Sequence, residues 1–200
     1  MKKTAVIFPG IGYTIDKPLL YYSRKAALEH GYDVISVEYS GVDKDCLRHK
    51  EKMTDAFNKA FMQVEEQLKE TDPASGGDII FISKSIGTVI AAVYAEKYDI
   101  KARQLFFTPL EQTFLKAEEG NGLVYFGDND PWIETDTIRR LCEEYKMPYR
   151  IFAGANHSLE TGRVHEDVDN IQFIMHEAED YIAGIDKVYC AQYNTTKDDN

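Results

Sequence analysis

Ser85, Asp130 and His157 are the three residue types that nucleophilic acyl transfer needs, far apart in the sequence but each in a comparable setting. A serine hydroxyl is a poor nucleophile until a base removes its proton, and neutral imidazole suits that task near pH 7. A carboxylate on the second ring nitrogen fixes the tautomer and stabilises the imidazolium that forms. Each of the three follows a segment that reads as a β-strand. Ser85 follows the apolar run Ile79-Ile80-Phe81-Ile82, Asp130 follows Gly122 to Phe126, and His157 follows Tyr149 to Ala153. In open parallel sheets ligands bind beyond the carboxyl ends of the strands, so the three residues are expected at one edge.

The stretch around Ser85 changes from a buried-strand pattern to a helical one without a spacer. Val89, Ala92 and Val93 recur at helical spacing after it, with Ala91 beside them. So sharp a turn strains its central residue and needs small neighbours, which Ser83 and Gly87 supply. The serine is thereby pushed out beside the free N–H groups of a helix N-terminus, which favour negative charge.

The rest of the chain alternates strand and helix. Strands are expected over Ala5 to Phe8, Asp33 to Tyr39 and Arg103 to Phe107, besides the three above. Helices are expected over Lys17 to His30 (Leu20, Tyr21, Ala27 and Leu28 on its face), from about Lys50 to Lys69, from Ser85 to about Tyr98, and over Thr135 to Tyr145. A last helix, from about Glu166 to Ile182, is expected to bury Val168, Ile171, Ile174, Met175, Ala178, Tyr181 and Ile182. Leu110 to Asn121 has room for a small helix only. Such alternation means βαβ units: about six mostly parallel strands with helices on both faces, a three-layer α/β sandwich. One domain is expected over residues 1–185, with a polar C-terminal tail over 186–200.

The spelling Ser83-x-Ser85-x-Gly87 resembles the nucleophile elbow of the α/β-hydrolase superfamily, G-x-S-x-G, with serine in the first small position. The order Ser85, Asp130, His157 is also that family's order, and its G-x-x-D turn appears as Gly127-Asp128-Asn129-Asp130. The resemblance runs from Ala5 to about Ile182 and lacks the family's first two strands. It implies that the first and third strands lie side by side, so that the loop Gly10-Ile11-Gly12 faces the elbow. It also implies an oxyanion hole built from the backbone N–H groups of Ile86 and Ile11, with Gly12 as the alternative to Ile11.

Each assignment has a rival. Asp128 and Asp136 compete with Asp130; His165 and His176 are weaker candidates than His157, and His30 and His49 precede the elbow. Tyr13 and Trp132, with Gly12, are candidates for a substrate pocket, although plain packing explains both aromatics. Lys84 reads as solvated or paired to an acid, and the S-x-x-K spacing of a Ser-Lys mechanism is absent. The acidic cluster from Glu111 to Glu119 lacks paired histidines and reads as a solvated face; no metal and no cofactor are expected.

Composition excludes other classes. The chain of 200 residues carries 23 basic and 34 acidic residues, a formal charge of −11, which argues against nucleic acid as a partner. Cys46, Cys142 and Cys190 form no C-x-x-C pair, so a reducing cytoplasm fits best. Ala5-Val6-Ile7-Phe8 is too short for a signal h-region, and no stretch approaches a membrane span. The short segment after Arg103 to Phe107 leaves no room for a long lid, so the resemblance implies an open hydrolase of small soluble esters or thioesters. The same residues would also serve a peptidase or C–C hydrolase, or a non-catalytic hydrolase-fold protein that binds a ligand or partner.

Overall fold

The computed structural model describes residues 2–47, 49–69 and 77–185. The expected tail over 186–200, Cys190, and most of the loop before the third strand lie outside the described residues. The strands are β1 (Lys3–Phe8), β2 (Asp33–Ser36), β3 (Asp78–Lys84), β4 (Arg103–Phe107), β5 (Leu123–Gly127) and β6 (Tyr149–Phe152). They form one six-stranded, all-parallel sheet in the order β2-β1-β3-β4-β5-β6. β1 and β3 are neighbours, as the resemblance implied.

The helices are α1 (Pro18–Glu29), α2 (Met53–Leu68), α3 (Ile86–Lys97), the single turn α4 (Glu111–Phe114), α5 (Thr135–Glu144) and α6 (Val164–Ala183). Side chains alternate across each strand, which divides the core into two layers. Ala5, Ile7, Ile80, Ile82, Leu105 and Phe107 face α1 and α6. Val6, Phe8 and Phe81 face α2 and α3, and Phe106, Val124 and Phe126 face α4 and α5. Helix α3 is buried almost all round because it lies over the centre of the sheet.

Three expectations shift. Strand β2 ends at Ser36 rather than Tyr39, although the Val37 N–H still donates to the Ile7 carbonyl. Leu28 is exposed, since α1 turns Leu19, Leu20, Ser23 and Ala27 to the sheet. Val168 is exposed as well, because α6 buries only Ile174, Ala178 and Ile182 along its second half.

The amino edge of the sheet is tied to the end of α6 by Arg103. Its guanidinium donates to Asp78 Oδ1 at 2.9 Å, to the Tyr32 hydroxyl at 2.6 Å and to the Ile182 carbonyl at 3.1 Å, and it also donates to the Tyr181 carbonyl. Burial alone would raise the Asp78 pKa, but hydrogen bonds from Tyr32 and Arg103 outweigh it and hold the carboxyl below its ordinary range. Arg103→Met would remove the guanidinium bonds to that carboxylate and to two helix-terminal carbonyls, leaving the Tyr32 hydroxyl to serve both Asp78 and Ile182. It should lower urea-measured stability by about 2 kcal/mol; unchanged stability would show the network to be inert.

Candidate active site

The turn between β3 and α3 holds Ser85 at φ 57°, ψ −126°, a region that non-glycine residues avoid. The Ser85 N–H donates to the Phe107 carbonyl at 3.0 Å, and its carbonyl accepts from the Thr88 N–H and hydroxyl. The turn is possible because its neighbours are small. A Cβ on Gly87 would lie 2.3 Å from the Phe8 carbonyl oxygen, and one on Gly10 would lie 3.2 Å from Ser85 Cβ. The β1–α1 loop therefore runs directly against the elbow. Ser83 is fully buried, with its hydroxyl donating to the Leu105 carbonyl at 3.2 Å, so serine fits where the resemblance has glycine.

Ser85, His157 and Asp130 come together as one hydrogen-bonded chain. Ser85 Oγ lies 2.8 Å from His157 Nε2, and His157 Nδ1 lies 2.6 Å from Asp130 Oδ2. A carboxylate only accepts, so the proton belongs on Nδ1, and Nε2 presents its lone pair to the serine hydroxyl. Asp130 is almost fully buried, with its second oxygen accepting from the Trp132 N–H at 2.9 Å. Burial lowers the His157 pKa below the ordinary 6.5; the Lys84 charge adds to that, and Asp130 opposes it.

Loop contacts explain how side chains from two strand ends meet. A Cβ on Gly127 would lie 2.0 Å from the Ala155 carbonyl oxygen, so only glycine lets the β6–α6 loop cross the end of β5. The Asn129 N–H donates to that carbonyl at 3.0 Å, and Asp128 Oδ1 accepts from the Gly154 N–H at 2.6 Å. Asp128, a rival of Asp130 in the sequence, is thus a loop clamp, and Asp136 pairs with Arg139 in the first turn of α5. Among the other histidines, His165 and His176 are exposed, and His30 pairs with Glu179.

Two backbone N–H groups directly follow the elbow contacts in the chain, Ile86 after Ser85 and Ile11 after Gly10, whose Cβ position lies against Ser85. The Ile86 N–H heads α3 and the Ile11 N–H lies in the adjoining loop; among the described residues neither has a protein acceptor. Beside Ile86 opens a cavity of about 540 Å³, lined by Met53, Phe57, Val89, Val93, Leu110, Leu115, Trp132 and Ile133, with Glu111 and Lys116 at its polar part. The expected pocket residues divide. Trp132 lines this cavity and its ring centre lies 5.9 Å from that of His157. Tyr13 is buried instead, its hydroxyl accepting from the Leu19 N–H at 3.1 Å, and Gly12 is exposed in its loop.

Lys84 contradicts the sequence expectation. It is 1% exposed, with Nζ donating to the His157 carbonyl at 2.6 Å and to the Thr108 hydroxyl, so it is neither solvated nor ion-paired. Strand parity carried the signal, for Lys84 shares the face of Ile80 and Ile82. Met53, Phe57 and Val93 line the cavity without any mark in the sequence, because a stripe at helical spacing looks the same whether it meets core or cavity. Among the described residues no group of His, Cys, Asp or Glu could hold a metal ion, and no helix is long and apolar enough to cross a membrane.

Comparison with solved structures gives the fold a name. Est1E from Butyrivibrio proteoclasticus with ferulic acid bound matches with a TM-score of 0.64 at 12% identity, covering 92% of this chain and 89% of that one. XC6422 from Xanthomonas campestris, described as an α/β serine hydrolase without a lid, matches with a TM-score of 0.57 at 14% identity over 90% of this chain and 82% of that one. An α/β serine hydrolase homologue from Coxiella burnetii matches with a TM-score of 0.53 at 16% identity over 88% and 84%. This chain has the α/β-hydrolase fold. No family model and no curated protein matches its sequence.

The loop crossing at Gly127 yields a direct test. Gly127→Ala should force the His157 loop off β5, costing about 2 kcal/mol of stability and reducing whatever chemistry needs the Ser85–His157 contact. Urea unfolding and the His157 ring NMR signal would both move, and if neither did, the crossing would not be what holds the loop.

Proposed function

We propose that this chain is a serine hydrolase of small soluble carboxylic esters or thioesters, working through an acyl-enzyme. The observation that carries the reading is the His157 ring lying between Ser85 Oγ and the buried Asp130 carboxylate at 2.8 and 2.6 Å. Ser85 Oγ attacks the acyl carbonyl as Nε2 takes its proton, and Asp130 stabilises the imidazolium. The Ile86 and Ile11 N–H groups receive the oxyanion, Ile11 being the donor from the loop packed against the elbow. Nε2 returns its proton to the leaving oxygen or sulfur. Water, activated by the same imidazole, then attacks the acyl-serine ester, and the Ser85 hydroxyl is regenerated.

Size and lining of the cavity support an apolar acyl or aryl group. About 540 Å³ lies within the range of ligand pockets, and its lining includes Ile86, which follows Ser85 in the chain, and Trp132, whose ring neighbours His157. The bound ferulic acid of the Butyrivibrio protein is consistent with an aromatic occupant.

Substituting Ser85 by Ala should cut hydrolysis of a nitrophenyl ester by about 10⁴-fold or more, and undiminished turnover would reject the mechanism. The base must be neutral to act, and the site favours its neutral form, so the acid limb of kcat/KM should have its midpoint below 6.5. A midpoint above 7 would remove His157 from the role. Val93→Trp fills the cavity away from Ser85. It should lower kcat/KM for an octanoyl ester at least about tenfold relative to the acetyl ester, whereas equal losses would place the acyl group elsewhere.

A further inference from the structure

The mechanism above leaves one buried charge unused. Lys84 Nζ sits beneath the ring of Tyr13, 5.1 Å from its centre, with its two acceptors on the opposite loops. One acceptor is the main-chain carbonyl of His157 itself, at 2.6 Å. The other is the hydroxyl of Thr108, which directs its own proton to the same carbonyl at 3.2 Å. Thr108 holds φ 44°, a conformation that β-branched residues rarely adopt, at the end of β4. A buried ammonium without a carboxylate partner is costly, and so is that backbone. Both costs fall at one carbonyl, that of the residue whose ring bridges Ser85 and Asp130.

We infer that Lys84 is a positioning residue of this site: from the end of β3 its side chain grips the main chain of His157, the residue whose ring bridges Ser85 and Asp130. The inference rests on the serine hydrolase reading. The ionisable groups facing Lys84 are Asp130 from the β5–α5 loop, His157 and Glu160 from the β6–α6 loop, and Tyr13 from the β1–α1 loop. Burial brings the Lys84 pKa down from 10.5 to about 7, with the Asp130 and Glu160 carboxylates pulling the other way. Burial also pushes Tyr13 up to about 12, so it stays neutral. Below pH 6.5 Lys84 is therefore mainly an ammonium, and it repels the proton that would silence His157.

The consequence separates a charge effect from a packing effect. Lys84→Met preserves length and burial but removes the charge and the grip. kcat should fall about tenfold to a hundredfold with KM little changed, and the acid limb of kcat/KM should move up by roughly 0.5–1 pH unit. Thr108→Val weakens the grip and keeps the charge, so its kcat should fall while its acid limb stays where the wild type has it. A Lys84→Met limb that coincides with the wild type, or a Thr108→Val limb that moves as far, would overturn the inference. Should Lys84→Met not fold, Lys84→Gln carries the same prediction for the limb. Wild type and Ser85→Ala are assayed alongside with the same nitrophenyl ester: equal activity in those two would defeat the hydrolase reading itself, whereas loss in Ser85→Ala with an unmoved limb in the Lys84 variant defeats only the role of Lys84.

Discussion

The backbone of Ser85 is the constraint on which the rest of the structure depends. At φ 57° and ψ −126° it is strained, and such a conformation persists only where its surroundings over-determine it. Here they do so from three sides: β4 accepts its N–H through Phe107, Thr88 caps its carbonyl, and β1 closes on Gly87 so tightly that no side chain fits. The reversal of strand order between β1 and β3 supplies that third side. It places the end of β1 level with the end of β3, with Phe8 opposite Ser83. The crevice expected at such a switch point is where the hydroxyl emerges.

Electrostatics at the site are a balance among three buried ionisable groups, one lysine, one carboxylate and one imidazole. Asp130 favours the imidazolium; burial and Lys84 oppose it. For a general base that must begin neutral and become charged only as the reaction proceeds, that balance is useful, since a stronger carboxylate influence alone would leave the ring protonated at rest. The ordered loops that hold these groups have little freedom. Gly127 lets Ala155 approach, Asp128 accepts from Gly154, and Asn156 Oδ1 accepts from the Ser158 N–H at 2.7 Å just beyond His157.

Much of this was legible in the sequence because it is written locally. The sequence of strands and helices follows from periodicity and turn residues, and the elbow from a change of period at Ser85 between Ser83 and Gly87. The meeting of Ser85, Asp130 and His157 needed more than local information; the order of the three residues and their places after strands supplied it. What escaped was tertiary in origin. Lysine reads as solvated in one dimension, and only the parity of β3 pointed inward for Lys84. Leu28 and Val168 read as buried in the sequence, because an apolar stripe does not reveal how far along a helix its partner extends. Met53 and Phe57 looked like core, whereas they border a space.

The central claim is that Ser85 is an activated nucleophile, made so by the imidazole beside it. Reaction with a fluorophosphonate followed by mass spectrometry of the digested protein tests this without knowledge of the natural substrate. The account predicts one phosphonyl adduct per chain, on the peptide that contains Ser85, and none after substitution of His157 by Ala. An unmodified Ser85 peptide, or an adduct that forms equally well without the histidine, would contradict it.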